Sequence, residues 1–287
     1  MGAWARAVAL GWLAAAGCKG DSRSGLLSGR DGGPPVVMVD ESGRALEREV
    51  EPNNVADTAQ ALSLPGGVQG AIDRAGDEDS YAFEIQRPGL LVASLSAVKE
   101  ADLILVLFDA SGKTVVRSDN GPAGTREGVP NLVLQPGRYR LHITEYVKKP
   151  APGAPLVARA ASSEPYALEV HTGPLPSEEE EIEPNDQAAF SGELPIGGGK
   201  KGFAGWRRDQ DYWRVGLAGL GANEGLAIDL DAVSGVAWRV RVLDSTEKTL
   251  LLRQATKDQP VAVRNLALPA GEPFIYVAVA CGAGNID

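Results

Sequence analysis

The 287-residue sequence predicts an all-β protein built as two tandem antiparallel β-sandwich, jelly-roll-like modules. Three observations lead there. Strand-length segments alternate apolar and polar residues. No window past the N-terminal segment keeps a helical period between a cap and a glycine stop. One motif pair also occurs twice in one register: Glu51-Pro52-Asn53-Asn54 with Asp77-Glu78-Asp79, then Glu183-Pro184-Asn185-Asp186 with Asp209-Gln210-Asp211. Both halves of the pair recur 132 residues on. Short acidic motifs that hold one spacing mark a duplicated domain.

The chain opens with Arg6, an apolar stretch from Ala7 to Ala16, and Ala15-Ala16-Gly17-Cys18. Too short to span a bilayer, residues 1–17 read as a signal peptide. The small-small-Cys ending resembles a bacterial lipobox, with Ala15 where that pattern usually has leucine and Leu13 two positions early. The resemblance implies acylation of Cys18 and a lipid anchor, since several acyl chains hold a protein at a membrane surface. An ordinary secretory signal that contains a cysteine is the competing reading. Residues 18–48, rich in Gly, Ser and Pro, read as a flexible tether; Val36 to Val39 leaves an added edge strand open.

The first module spans 49–172. Tyr81, Phe83 and Ile85, then Tyr139, Leu141 and Ile143, then Tyr166, Leu168 and Val170 alternate with polar or small residues, as half-buried strands do. Leu103 to Phe108 is a continuous apolar run that suits a central strand. Asp109-Ala110-Ser111-Gly112 and Gln135-Pro136-Gly137 are turns. The Pro-rich 147–165 segment reads as an excursion at a sheet edge, and 173–180 as an acidic linker whose charges are solvated.

The second module spans 181–287. Trp213 and Val215 stand for Tyr81 and Phe83, Trp238 to Val242 for Leu103 to Leu107, Asn265 to Gly271 for Asn131 to Gly137, and Ile275 to Val279 for the Tyr139 strand. Nothing answers Tyr166 to Val170. The second sandwich is therefore expected to lack its last strand, with an unpaired neighbour and an opened core, as in a truncated reading frame.

Without residues 1–17 the count is 27 Lys+Arg against 38 Asp+Glu, about −11, which argues against nucleic acid as a partner. Cys18 and Cys281 are the two cysteines; the mature monomer is expected to hold no disulfide, and Cys281 to be a small buried hydrophobe. There is no His-Glu-x-x-His, Gly-x-Ser-x-Gly or Walker loop. His142 and His171, on separate strands, read as outward surface residues.

The repeated motifs gather oxygen. A residue before proline is extended, so Glu49 and Glu51 point to one side with the Asn53 amide near them. Asp77 and Asp79 precede a strand that closes against that space. Such donors suit calcium, which takes six to eight oxygens, whereas zinc would want His or Cys. By spacing alone, a turn followed by a backbone-satisfied strand cap explains the motifs equally well.

Glu-Pro-Asn-(Asn/Asp), the steps Gly70-Ala71-Ile72 and Gly202-Phe203-Ala204, the Asp-x-Asp-x-(Tyr/Trp) runs and Leu134 to Leu141 together resemble the bacterial pre-peptidase C-terminal domain. That family is similar to the collagen-binding domains of clostridial collagenases. The resemblance covers roughly 49–172 and 181–287. It implies a sandwich module appended to secreted peptidases, with calcium ordering the segment before the first strand. Carried over residue by residue, it assigns Glu49, Glu51, Asn53 and Asn54 in the first module and Glu181, Glu183, Asn185 and Asp186 in the second. Asp77, Asp79, Asp209 and Asp211 follow, with one aspartate of each pair reaching the ion. Four carboxylates against five make the second site the tighter expectation.

The reading is a non-catalytic protein lipid-anchored in the bacterial envelope, with one Ca2+ per module. Its modules would bind or scaffold an extracytoplasmic protein or polymer. The competing class is the accessory region of a secreted hydrolase whose catalytic part is lost or lies beyond residue 287. Saccharide binding, a third class, needs a planar face from Trp206, Trp213 and Trp238.

Overall fold

The structure is a computed structural model describing residues 5–12, 38, 43–74, 76–146, 162, 164–203, 205, 209–221 and 224–281. Both modules are all-β sandwiches. The chain divides into two compact units, 20–130 with 134–174, and 175–287 with 1–19 and 131–133. Strand β1 (Ala5–Trp12) belongs to the second.

The first sandwich contains β2 (Glu47–Arg48), β3 (Gln60–Ala61), β4 (Gly66–Gly70), β5 (Glu78–Ile85), β6 (Gly89–Leu95) and β7 (Leu103–Asp109). It continues with β8 (Thr114–Ser118), β9 (Glu127–Leu134), β10 (Gly137–Glu145) and β11 (Tyr166–Gly173). One sheet runs β3-β5-β10-β7-β8 and the other β2-β4-β11-β6-β9. Alternation decides which side chains enter the core. Tyr81, Phe83 and Ile85 of β5, Leu141 and Ile143 of β10, and Tyr166, Leu168 and Val170 of β11 are all buried. Strand β7 is buried continuously from Leu103 to Leu107 and lies between β10 and β8, as an apolar run requires. The tether ends earlier than expected: Leu46 is buried and β2 pairs in parallel with β4. Met38 donates to the Gln69 side chain and accepts from the Leu46 amide, while its neighbours and the excursion at 147–161 lie outside the described residues.

The second sandwich contains β12 (Gly192–Glu193), β13 (Gly199–Gly202), β14 (Gln210–Gly216) and β15 (Gly225–Leu230). Then follow β16 (Trp238–Leu243), β17 (Thr249–Gln254), β18 (Val261–Leu266) and β19 (Phe274–Cys281). Its sheets run β12-β14-β19-β16-β17 and β13-β1-β15-β18. The first of these repeats β3-β5-β10-β7-β8 strand for strand. The core gathers Trp213, Val215, Leu226, Ile228, Leu230, Trp238, Val240, Val242, Ile275 and Val277, and each such side chain stabilises the fold by about 1.5–3 kcal/mol through lost apolar exposure.

Two expectations are corrected here. The place of the missing last strand is not open: β1 fills it, paired in parallel with β13 (Ala9 opposite Gly199) and with β15 (Ala5 opposite Gly225). In the first sandwich the same place holds β11, antiparallel to both neighbours. Nor is Cys281 unbridged. It is buried and disulfide-bonded, with its partner sulfur outside the described residues.

The turns repeat too. Between β7 and β8, Asp109 accepts from the Ser111 amide and hydroxyl and from the Lys113 amide at 2.9, 2.6 and 3.0 Å. Between β16 and β17, Asp244 accepts from the Thr246 amide and hydroxyl and the Lys248 amide at 2.9, 2.7 and 2.9 Å. The hydroxyl bond, first among the causes, holds each carboxyl below its usual range. The left-handed position is Gly112 (φ 81°) in one turn and Glu247 (φ 65°) in the other. The β5–β6 connection is short, residues 86–88, whereas β14–β15 takes 217–224.

Candidate metal centre

In both modules the acidic segment is held against the start of a strand by the same bonds. The Asn53 amide donates to Glu51 Oε2 at 2.8 Å and the Asn185 amide to Glu183 Oε2 at 2.6 Å. The Ser80 amide donates to the Asn53 carbonyl, and the Tyr212 amide to that of Asn185. Both Glu-Pro peptides, 51–52 and 183–184, are cis. The Gly-x-(Ile/Ala) steps supply one donor each: Ala71 N–H to Glu49 Oε2 at 2.9 Å and Phe203 N–H to Glu181 Oε1 at 2.6 Å. A Cβ on Gly70 would lie 2.4 Å from the Tyr166 hydroxyl oxygen and 2.9 Å from Glu49 Oε2, so the site forbids a side chain there.

In the first module Glu49, Glu51 and Asp79 bring one oxygen each within 4.8 Å of one another, and Glu51, Asp73 and Asp77 do the same. The aspartates thus serve two adjoining groups. Much of the charge is already answered. Arg74 Nη2 lies 3.1 Å from Glu51 and 3.2 Å from Asp77, the Asn54 amide group donates to Asp77 at 3.1 Å, and the Asn53 amide group donates to Glu49 at 2.9 Å. Tyr166 donates to Asp79 Oδ2 at 2.7 Å and its hydroxyl lies 2.6 Å from that of Tyr81. Asn53 Oδ1 and Asp79 Oδ1 are buried without a hydrogen-bond partner. Burial, then a hydrogen bond shared with Glu49, pushes Asp79 up to about 9.

The second module buries more and satisfies less. Glu181, Glu183 and Asn185 are each 1 % exposed, and Glu181, Glu183 and Asp211 place one oxygen each within 4.8 Å of one another. Glu181 Oε1 accepts from Asn131, which groups with this unit, at 2.6 Å. Asp209 accepts from the Gly205 amide, and Asp186 from the Gln210 amide at 3.2 Å. Five buried oxygens have no partner: Glu181 Oε2, Glu183 Oε1, Asn185 Oδ1, Asp209 Oδ1 and Asp211 Oδ1. The Trp213 indole N–H, at the position of Tyr81, has none either. Burial pushes Glu181 up to about 7; burial and then the Glu181 charge push Glu183 up to about 8. Asp209 and Asp211 are raised well above the carboxylate range, first by burial and then by the neighbouring carboxylates, and burial also raises Asp186.

Buried unpaired carboxylates are costly unless a cation joins them. Beside the nitrogens of Asn185 and Trp213, the unpartnered buried atoms of the second module are five oxygens; Glu181, Glu183 and Asp211 bring oxygens within 4.8 Å of one another, and ligands on opposite sides of a calcium ion lie about 4.8 Å apart. The residues fit that ion. Sequence reasoning missed Asp73, Arg74, Asn131 and Tyr166 as members of the sites. Arg74 and Tyr166 carried no motif, though Tyr166 opens a predicted strand.

Two other readings are corrected. Trp213 and Trp238 are core residues, each 1 % exposed, so they form no planar surface; Trp206 lies outside the described residues. His142 is half covered, with Nδ1 3.1 Å from Ser80 Oγ and Nε2 3.4 Å from Glu78, while His171 stays exposed beside Glu169. Ser80–His142–Glu78 has the composition of a catalytic triad but not its arrangement. The serine is fully buried and meets Nδ1 rather than Nε2, Arg140 donates to its oxygen at 3.1 Å, and burial lowers the His142 pKa. The grouping pins β5 to β10. Cys18 lies outside the described residues.

No family model and no curated protein matches the chain. Among solved structures, the pre-peptidase C-terminal domain of a collagenase from Bacillus anthracis is 18% identical over 42% of this chain and 99% of its own, with a TM-score of 0.31. The PBSX exported protein XepA is 12% identical over 88% of this chain and 100% of its own, with a TM-score of 0.26. Scores this low leave function to be argued from the chain's own residues.

Proposed function

We propose that this is a non-catalytic envelope protein, lipid-anchored through Cys18, whose two sandwich modules are ordered by calcium. The modules then bind or scaffold an extracytoplasmic protein or polymer. The observation that carries the reading is the cluster Glu181, Glu183, Asp209 and Asp211 with Asn185, five buried side chains each with an oxygen lacking a partner. A general acid or base must reach its substrate; these groups reach one another. An ion there would clamp the 181–186 segment to the start of β14, fixing the direction in which the chain enters the module. The first site, already served by Arg74, Asn54 and Tyr166, needs an ion less, so the second is the tighter. Among the described residues no helix is long and apolar enough to cross a membrane, and anchoring is assigned to the acyl chains.

Calorimetric titration of the whole chain tests the reading. Calcium binding with dissociation constants of about 10⁻⁴–10⁻³ M is expected, as for extracellular modules. Glu183→Gln combined with Asp211→Asn should remove the tighter phase. Absence of both heat and a melting shift at millimolar calcium overturns the calcium reading.

A further inference from the structure

The outer face of the β12-β14-β19-β16-β17 sheet differs in charge from its counterpart in the first module. Trp213 and Val215, Ile275 and Val277, and Trp238 and Val240 point into the core, so their alternates on β14, β19 and β16 point outward. Matching registers set each outward residue against one of the first module. Gln210 and Gly216 stand for Glu78 and Glu84, which removes two carboxylates. Arg214 stands for Ala82, and Arg239 and Arg241 for Ile104 and Val106, which adds three guanidinium groups. Phe274 and Tyr276 stand for Arg138 and Arg140. The outward residues of these three strands therefore hold three cations and no acid, on a chain of net charge −10. Glu193, on the edge strand β12, meets Arg214 at 2.9 Å.

The three arginines are held in different ways. Arg214 lies over the Phe274 ring, 4.1 Å from its centroid. Arg241 donates to Gln210 Oε1 at 3.2 Å and to the Tyr212 hydroxyl at 3.0 Å. The half-buried Arg239 side chain has no hydrogen bond or ion pair among the described residues. Arg239 and Arg241 are two residues apart on one strand, about 7 Å, and Arg214 lies two strands over and one step along, about 12 Å from Arg241. Ala280 and Ala278, opposite Arg239 and Arg241, keep the ground between strands low.

We propose that this face binds an acidic polysaccharide, its carboxylates taken by Arg239, Arg241 and Arg214 and a sugar ring laid against Tyr276. The proposal names the polymer class within the function proposed above, on which it rests, and does not involve the ion. Surplus positive charge calls for an anion. The polar atoms on offer are chiefly donors, five N–H per guanidinium, while the Gln210 and Tyr212 oxygens already accept from Arg241. A sugar acid brings carboxylate, ring and hydroxyl oxygens to such a face, and a guanidinium can take the carboxylate through two bonds. A peptide laid across it would bury backbone N–H groups with little to accept them.

Calorimetric titration of the whole chain with a hyaluronate decasaccharide, in calcium and again in chelator, tests the proposal. Saturable binding with a dissociation constant below about 1 mM is expected in either, weakening as salt rises from about 0.05 to about 0.5 M. The same oligomer with its carboxylates reduced to alcohols, and a decapeptide of glutamate, should each bind at least tenfold more weakly. Arg239→Gln with Arg241→Gln should weaken binding about tenfold or more. Arg239→Gln alone, which breaks no side-chain bond of the fold, should weaken it about threefold, and Arg138→Gln in the first module should leave it unchanged. A folded chain that ignores the oligomer at about 1 mM, equal binding of the reduced oligomer or the peptide, or an Arg239→Gln chain that binds as the parent does overturns the proposal. So does an equal loss from Arg138→Gln. Hyaluronate binding without calcium binding removes the ion and keeps this face; the reverse removes this face and keeps the ion.

Discussion

Tyr166 shows how one side chain can stand between a metal site and a core. Its ring fills the first sandwich while its hydroxyl donates to a buried carboxylate. Tyr166→Phe keeps the ring and orphans Asp79 Oδ2, which should cost about 1–3 kcal/mol by chemical denaturation in chelator. The cost should shrink in calcium if the ion takes over that charge. Cys281 permits a cleaner measurement. A thioether-linked acyl chain and a disulfide cannot share one sulfur, and the chain has two cysteines. Protein recovered from membranes with an acylated Cys18 should therefore expose one thiol per chain to a maleimide after unfolding. A chain that keeps its N-terminal segment and its disulfide should expose none without reductant. At the β16–β17 turn, Glu247 sits where Gly112 stands in the other copy, with φ 65°. Glu247→Gly should stabilise the second module by roughly 1 kcal/mol, because the left-handed region strains any residue with a Cβ.

At the scale of elements, the strands were legible because half-buried strands write their burial into the sequence with period two. Tyr81-Ala82-Phe83 and Leu168-Glu169-Val170 alternate in the fold as they do in the sequence. Less legible was what touches the acidic segment from a distance in sequence. Tyr166 lies 87 residues from Asp79, and Asn131 lies 50 from Glu181; register across a sheet, not spacing along the chain, brings them in. The Gly-x-(Ile/Ala) step was visible as a pattern but its purpose was not. Its glycine leaves room for Glu49 and the Tyr166 hydroxyl, and its next residue donates an amide. Gly70→Ala should accordingly lower the first module's stability by about 1–3 kcal/mol and weaken calcium binding there, since a Cβ must displace either the ring or the carboxylate. The filling of the last-strand slot by β1 was the least legible feature. The apolar run it draws on, Ala7 to Ala16, reads as a signal peptide and carries no apolar-polar alternation that would mark a strand.

Across the whole molecule, the two sites set how stability responds to pH and ions. Glu181 and Glu183, pushed by burial up to about 7 and about 8 from the ordinary 4.5 of a glutamate, stay protonated in the fold after the unfolded chain has released its protons. The folded state then binds more protons. Without metal, stability should be full below about pH 4.5 and fall as pH rises towards 8. Calcium binds the ionised form, so the second module's midpoint should flatten or rise over the same window when calcium is present. At about fifty times its dissociation constant the ion adds roughly 2 kcal/mol, or about 10 °C for a module of this size. Scanning calorimetry from pH 4.5 to 8, with chelator and with calcium, reads both slopes; identical slopes would remove the ion from the account.

The unequal connections after β5 and β14 bear on how such a protein can be handled. Residues 86–88 make the first turn, while 217–224 make the second without disturbing the repeated strand order on either side. Chain length is thus tolerated at that corner, in keeping with the weak dependence of loop-closure entropy on length. A reporter peptide or fluorophore spliced between Gly219 and Glu224 would travel with the second module and leave both acidic segments untouched, giving a label that reports on that module alone.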